Sequence, residues 1–179
     1  MTVRFVQSGE QIPAKQLESG EIDISLGFDH ETEQSSHIGN EIWLCGKYSI
    51  AMDNQHEALK NNVSLGLEAF LEYPHVLVTP WNEQRGIVDC TLGKLNKKRN
   101  VAITLPSVLS APYLLKNTDY FLAIPEIYIE TLADTLQLAY VDPPFPIPDY
   151  QIKLYWHKVR EKEPKVHWLI NLLLSLSCE

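Results

Sequence analysis

Cysteine is scarce in this chain. The three present, Cys45, Cys90 and Cys178, are too few and too scattered for a disulfide framework or a CxxC zinc site, and they fit a reducing compartment. The glycine-rich signatures of nucleotide and hydrolase chemistry are missing, with no P-loop, no GxGxxG and no GxSxG elbow. Long apolar runs are missing too. The most apolar stretch, Trp168 to Leu176, is about half of what a bilayer crossing needs. No apolar run of signal-peptide length follows the single arginine of MTVRFVQSGEQ. Positive charge is in deficit, with 15 basic residues against 23 acidic ones and a net charge of −8. The deficit falls on residues 1–90, which hold 14 acids and 5 bases, whereas residues 91–179 hold 9 and 10. Such a surface repels phosphate backbones and excludes direct nucleic-acid binding by this stretch. These readings predict a soluble, cytoplasmic, globular protein without membrane attachment, whose 179 residues suffice for one domain or two small lobes.

What the sequence does have is alternation between strand-like and helix-like segments. Val3–Gln7 reads as a strand and Gln11–Glu18 as a short helix, with Gly20 as its stop. Ile22, Ile24 and Leu26 form the next strand, and after a polar loop (Asp29 to Asn40) Ile42–Met52 reads as one long strand. Ser64 caps a helix with the stripe Leu67, Phe70 and Leu71, which Tyr73-Pro74 ends. Further on, strands are expected at His75–Thr79, Val101–Leu105, Tyr120–Ile124, Leu138–Val141 and Tyr150–His157. Helices are expected at Arg85–Lys97, Ser107–Lys116, Pro125–Asp134 and Pro164–Leu176. The segment DPPFPIPDY (Asp142 to Tyr150) is too rich in proline for helix or central strand and reads as a stiff extended crossing.

This rhythm predicts an α/β protein with mainly parallel sheets. Val78–Trp81 and the proline-rich stretch read as two crossings between lobes, with residues 1–78 plus 144–179 forming lobe I and residues 79–143 an inserted lobe II. A cleft where two lobes meet is a place for a small ligand.

LESGEIDISLGF (Leu17 to Phe28) resembles the "L-x-x-G-E-x-D-hydrophobic-A-hydrophobic-G" segment of the effector-binding domains of LysR-type transcriptional regulators. The resemblance continues through SLGLEAFLEYPHVLVTP (from Ser64), GIVDCTLGKLNKKRNVAITLPSVLSAPYLLKNTDYFLAIPE (from Gly86), PFPIPDYQIKLYWHK (from Pro144) and EPKVHWLINLL (from Glu163). It covers most of the chain in order, closest to the branch with a WH pair in the last strand and a WL pair in the last helix. It implies two Rossmann-like lobes joined by two extended crossover strands, a fold like type 2 periplasmic binding proteins. It also implies that the DNA-binding domain, the linker helix and the first strand and helix of the effector domain are not in this chain, because MTVRFVQ resembles the family's second strand. That leaves unpaired edges and exposed apolar surface, with reduced stability or altered association as the expected result.

Candidate site residues gather at loops after strands. Phe28 and Asp29 end the strand over Ile22–Gly27, where α/β ligands dock. Thr79, Trp81 and Asn82 follow another strand, and Gly86 opens a helix whose free N–H groups suit a polar ligand group. Ser107 opens the next helix, as a cap first and a ligand contact second. Phe121 and Ala123 lie near the end of the strand before Pro125. The polar cluster Asp29, His30, Glu31, Glu33 and His37 matches no metal spacing and reads as a solvated loop, so no metal or cofactor is expected. Lys97-Lys98-Arg99 reads as ordinary surface at a helix end, and Cys90 as a structural thiol on an amphipathic helix. Trp156 and Trp168 read as core aromatics of lobe I.

By this resemblance the chain is a ligand-sensing module. A small-molecule effector, suited to be an aromatic or amphipathic carboxylate, biases the pairing of domains in a homodimer or tetramer of the full-length protein. DNA is reached only through the missing N-terminal domain. One alternative is an enzyme on the same bilobal fold, such as a dehydratase of chorismate-derived acids, but the positioned acid–base pair it needs does not stand out. Another is an exported solute-binding protein, which the missing signal sequence disfavours.

Overall fold

A computed structural model describes residues 2–9, 12–28, 36–60, 64–81 and 83–177. In chain order its elements are α1 (Ala14–Ser19), β1 (Ser25–Phe28), β2 (Ile38–Gly46), β3 (Tyr48–Asp53), α2 (Leu67–Glu72), β4 (Pro74–Val78), α3 (Ile87–Lys94), β5 (Asn100–Leu105), β6 (Phe121–Pro125), α4 (Glu126–Leu136), β7 (Leu138–Val141), β8 (Tyr150–His157) and α5 (Pro164–Ser175). The chain divides into two compact units. Unit 1 comprises Met1–Cys45 with Tyr150–Glu179, and unit 2 is Gly46–Asp149.

Unit 1 carries a three-stranded sheet in the order β1-β8-β2, with β1 and β8 antiparallel. Alternation along β8 decides its two faces. Leu154 and Trp156 pack with Val166 and Ile170 of α5, while Tyr155 packs on the other side with Leu17 of α1 and Ile38. Gly39 has to be glycine, because a Cβ there would lie 2.7 Å from the Trp156 ring. Gly20, at φ +77° after α1, supplies the left-handed turn that ends that helix. Trp156 is core as expected, but Trp168 is 48% exposed on the outer side of α5. Residues 2–9 form no strand, since β1 pairs only with β8 among the described residues.

Unit 2 carries a five-stranded sheet in the order β5-β4-β6-β3-β7. β4 runs parallel to both β5 and β6, whereas β3 is antiparallel to both β6 and β7. The sheet is therefore mixed, not mainly parallel, because β3 enters from outside the βαβ series. Again alternation sorts the faces. Ala51, Leu122 and Ile124 pack with Ile129 and Ala133 of α4, and Ile50, Met52 and Phe121 pack with Phe70 of α2 and with Val88 and Leu92 of α3. Each fully buried side chain of this size contributes about 1.5–3 kcal/mol.

Two corrections concern the crossings. Ile42–Met52 is two strands, β2 and β3, with Lys47 between them, and the chain enters unit 2 at Gly46. Val78–Trp81 lies wholly inside unit 2, and the Thr79 N–H donates to the Leu105 carbonyl at 3.0 Å. The boundaries are therefore 45/46 and 149/150 in place of 78/79 and 143/144, because Tyr48–Asp53 pairs with β6 and β7. The helix expected over Ser107–Lys116 shrinks to a 3-10 turn, Ala111–Leu114. Pro112 accounts for this, since it lacks the N–H that an α-helix through that segment needs.

Candidate functional site

Three parallel strands of unit 2 end together. Val78 of β4 is level with Leu105 of β5, and β6 keeps the same register one strand over, with Val76 level with Leu122. At this edge the chain also enters the unit, because Tyr48 at the start of β3 pairs with Pro125 at the end of β6. The carboxyl ends of parallel strands are where open α/β sheets take ligands. Thr79 and Ser107 lie just past two of these strand ends.

Thr79 is 5% exposed. Ser107 is exposed, and its Oγ accepts the Ser110 N–H at 3.3 Å, but it does not cap the 3-10 turn as expected, because the N-cap there is Ser110, without a side-chain cap bond. Trp81 is half-buried, and its N–H donates to the Glu83 carboxylate at 3.1 Å. Asn82, beside it, lies outside the described residues, as does Asp29.

Gly86 does not offer the free helix-start amide expected of it. Its N–H donates to Asp89 Oδ2 at 2.9 Å, and the same carboxylate receives Arg99 Nε and Nη2 at 2.8 Å each. Burial pushes the Asp89 carboxyl up, but the Arg99 guanidinium and the Gly86 N–H outweigh it and hold the group below the usual carboxylate range. A Cβ at Gly86 would come 3.1 Å from Leu77 Cδ1, so this glycine serves close packing of α3 on β4. Arg99 is a buried ion-pair partner, not part of a basic surface run.

Phe121 stands at the other end of β6, level with His75, and is fully buried against Phe70, Tyr73, His56 and His75. It is a core residue. Ala123, partly buried, packs on the same cluster. In unit 1, Phe28 closes β1 beside Ile152, where the chain re-enters that unit, and its ring meets Tyr150 edge-on at 6.2 Å. The structure thus brings Thr79 and Ser107 to one edge of unit 2, with Trp81 in the loop just beyond, and sets Phe28 at the re-entry edge of unit 1.

Sequence reasoning missed Ser49 and Glu126. Ser49 Oγ donates to Glu126 Oε1 at 3.3 Å, and the Glu126 N–H donates to the Lys47 carbonyl at 2.9 Å. Neither residue carries a distinctive signal, because an acid in a helix's first turn ordinarily complements the helix dipole and Ser49 lies within a run of β-formers. Cys90, expected as a structural thiol, is exposed on α3.

Two polar depressions lie elsewhere. One, of about 320 Å³ at the opposite end of unit 2's sheet, is lined by Asp53, His56, Lys116, Asn117, Asp119 and Gln137 among others. Its groups bind one another, Asp53 accepting the Gln55 and Asn117 N–H groups at 2.7 Å and Lys116 donating to Gln137 at 2.8 Å. The other, of about 450 Å³ in unit 1, includes Gly39, Asn40, Trp156 and Lys158. Neither contains a candidate residue. Among the described residues no cluster of three or more His, Cys, Asp or Glu could hold a metal ion, and no helix is long and apolar enough to cross a membrane.

Comparison with known proteins gives a consistent result. The family model for the LysR substrate binding domain matches residues 1–177. The chain is 27% identical over 163 residues to the HTH-type transcriptional activator NagR of Ralstonia sp, covering 91% of this chain and 53% of that protein. It is 33% identical to the probable transcriptional regulator PA0477 from Pseudomonas aeruginosa, whose crystal structure superposes with a TM-score of 0.88 over 95% of this chain and 56% of that one. The effector binding domain of QuiR, solved in complex with shikimate, shares the fold at 14% identity, with a TM-score of 0.73 over 90-odd per cent of this chain (91%) and 75% of that chain. The chain spans about half the length of NagR and PA0477.

Proposed function

We propose a function from one premise: the chain belongs to the LysR substrate binding domain family. Its fold is the mixed α/β, type 2 periplasmic-binding-protein-like fold of LysR regulatory domains. The family and its relatives are transcription regulators, not enzymes, so the dehydratase alternative falls away. On this reading the chain is the effector-sensing part of a longer regulator. The effector contacts proposed in unit 2 are Thr79, Trp81 and Ser107, and the one proposed in unit 1 is Phe28. Binding of this small molecule favours one arrangement of the regulator and so changes transcription, in the cytoplasm and within a homodimer or tetramer that reaches DNA through a domain outside this chain. Asp29 and Asn82 stay in the proposed set as neighbours of Phe28 and Trp81.

The observation that supports it best is the common edge of unit 2, where three parallel strands end at the chain's point of entry. An effector can shift a two-state equilibrium only by its differential affinity for the states, typically about 1–3 kcal/mol. The test is a thermal-shift screen of metabolites against the chain, followed by titration of any hit against Trp81→Ala and Ser107→Ala. Weakened binding in both variants is the expected result. A hit whose affinity neither substitution changes, or a screen without hits, would overturn the proposal.

A further inference from the structure

Resting on that reading, we infer that Asp89 and Arg99 are positioning residues for the loop that carries Trp81, and that they act by fixing the exit of this loop to β5. The loop runs from Thr79 to Gly86, between the end of β4 and the start of α3. Both of its ends are tied to the same strand. At the entry, the Thr79 N–H donates to the carbonyl of Leu105, the last residue of β5. At the exit, the Gly86 N–H donates to Asp89 Oδ2 at 2.9 Å. Arg99, the residue just before β5, donates to Oδ1 and Oδ2 of the same carboxylate at 2.8 Å each.

An acid three residues into a helix that accepts the amide of the cap residue is an ordinary way to begin a helix, and it needs no cation. Asp89 has one, gripped by both oxygens. The Arg99 side chain is 2% exposed and that of Asp89 14%, so the pair is largely out of water. A guanidinium fork fixes the direction of the carboxylate as well as neutralising it. Because β5 is hydrogen-bonded to β4, one rigid pair of strands then sets where the loop begins and where it ends. Gly86 leaves no slack at the exit, since even a Cβ there would come 3.1 Å from Leu77 Cδ1 of β4. Within the span, the Trp81 N–H is bonded to the Glu83 carboxylate. A short segment anchored at both ends loses little further freedom on binding, so its indole meets an effector with most of the ordering cost already met by the fold.

Trp81 is the only tryptophan of unit 2, since Trp43, Trp156 and Trp168 all belong to unit 1. It therefore reports on its own loop. The test is fluorine NMR of the chain labelled with 5-fluorotryptophan, with the Trp81 line assigned through Trp81→Phe. Asp89→Asn keeps an acceptor for the Gly86 N–H and removes the charge that holds Arg99, whereas Arg99→Lys keeps the charge and removes the fork. Each variant is read on the native baseline of its urea transition, so that unfolding is not mistaken for movement of the loop. Asp53→Asn is the control, because Asp53 accepts two backbone N–H groups at the opposite end of the same sheet. The expected result is a Trp81 line that shifts or splits by more than its own width in Asp89→Asn, moves part of the way in Arg99→Lys and stays in place in Asp53→Asn. The three lines of unit 1 hold throughout. A Trp81 line unmoved in Asp89→Asn, or moved as far in Asp53→Asn, overturns the inference and leaves the pair as a helix cap and ion pair only. This readout needs no ligand, which separates it from the reading it rests on. A metabolite screen without hits overturns the effector reading with the anchoring already measured, and an unmoved line overturns the anchoring while the effector reading keeps its own titrations.

Discussion

Lowering the pH from 7 to 4 should cost this chain about 3 kcal/mol of stability through one imidazole, that of His75. The residue sits in β4, is fully buried, and its Nε2 lies 2.7 Å from the Phe70 carbonyl. A carbonyl only accepts, so Nε2 carries the proton and Nδ1 is the bare nitrogen, buried without a hydrogen-bond partner. Burial, and next the positive charge of Arg99, push the pKa from 6.5 down to about 4, against weaker opposition from the Phe70 carbonyl and Asp89. Above pH 6.5 both folded and unfolded chains hold the ring neutral and nothing changes. Between 6.5 and about 4 the unfolded chain takes up a proton that the folded one refuses, so stability falls with pH and then levels off. At about 1.4 kcal/mol per pKa unit, the interval corresponds to about 3 kcal/mol. The assay is urea denaturation from pH 7 to 4 on wild type and His75→Gln, with the His75 ring followed by NMR. The variant starts lower at pH 7 and loses about 3 kcal/mol less on acidification. Parallel pH profiles for the two proteins, or an imidazole that titrates near 6.5 in the folded state, would refute the reasoning.

Other expectations follow from single contacts. Arg99→Ala leaves the half-buried Asp89 carboxylate without its bidentate partner and should lower stability by about 3–5 kcal/mol in chemical denaturation; a loss under 1 kcal/mol counts against the pair. Gly39→Ala drives a methyl into the Trp156 indole, and a cost of about 1–3 kcal/mol with altered tryptophan fluorescence is expected, whereas an unchanged spectrum and midpoint would contradict it. Phe5, 81% exposed, and the half-exposed Trp168 give unit 1 an uncovered apolar surface, so light scattering should show mass above the monomer at rising concentration; a strictly monomeric chain with a sharp melt refutes this.

Period and punctuation made most elements legible in the sequence. The stripe Leu67, Phe70 and Leu71, the strands either side of α3 and the helix after Pro125 all stand within a few residues of where local pattern puts them. The failures share one cause, which is that local pattern carries no information about partners. Val3–Gln7 has strand composition but finds no neighbouring strand among the described residues. Lys47 interrupts a run of β-formers where the chain passes from one unit to the other, and only the pairing of Tyr48–Asp53 with β6 and β7 reveals it. At the candidate site, Thr79 and Ser107 could be read from strand-to-loop transitions. Gly86 and Phe121 could not, because the amide of one is taken by Asp89 and the ring of the other points into an aromatic core.

The position of β8 in the middle of its sheet has a bearing on biosynthesis. Everything needed for Gly46–Asp149 is contiguous and leaves the ribosome together, so that half can fold while translation continues. The other half must wait: β1 and β2 are made early but meet only across a strand encoded more than a hundred codons after them. During that interval Ile24, Leu26 and Trp43 lack the β8 and α5 side chains they pack on, which leaves β1 and β2 open to chaperones and proteases until β8 is made.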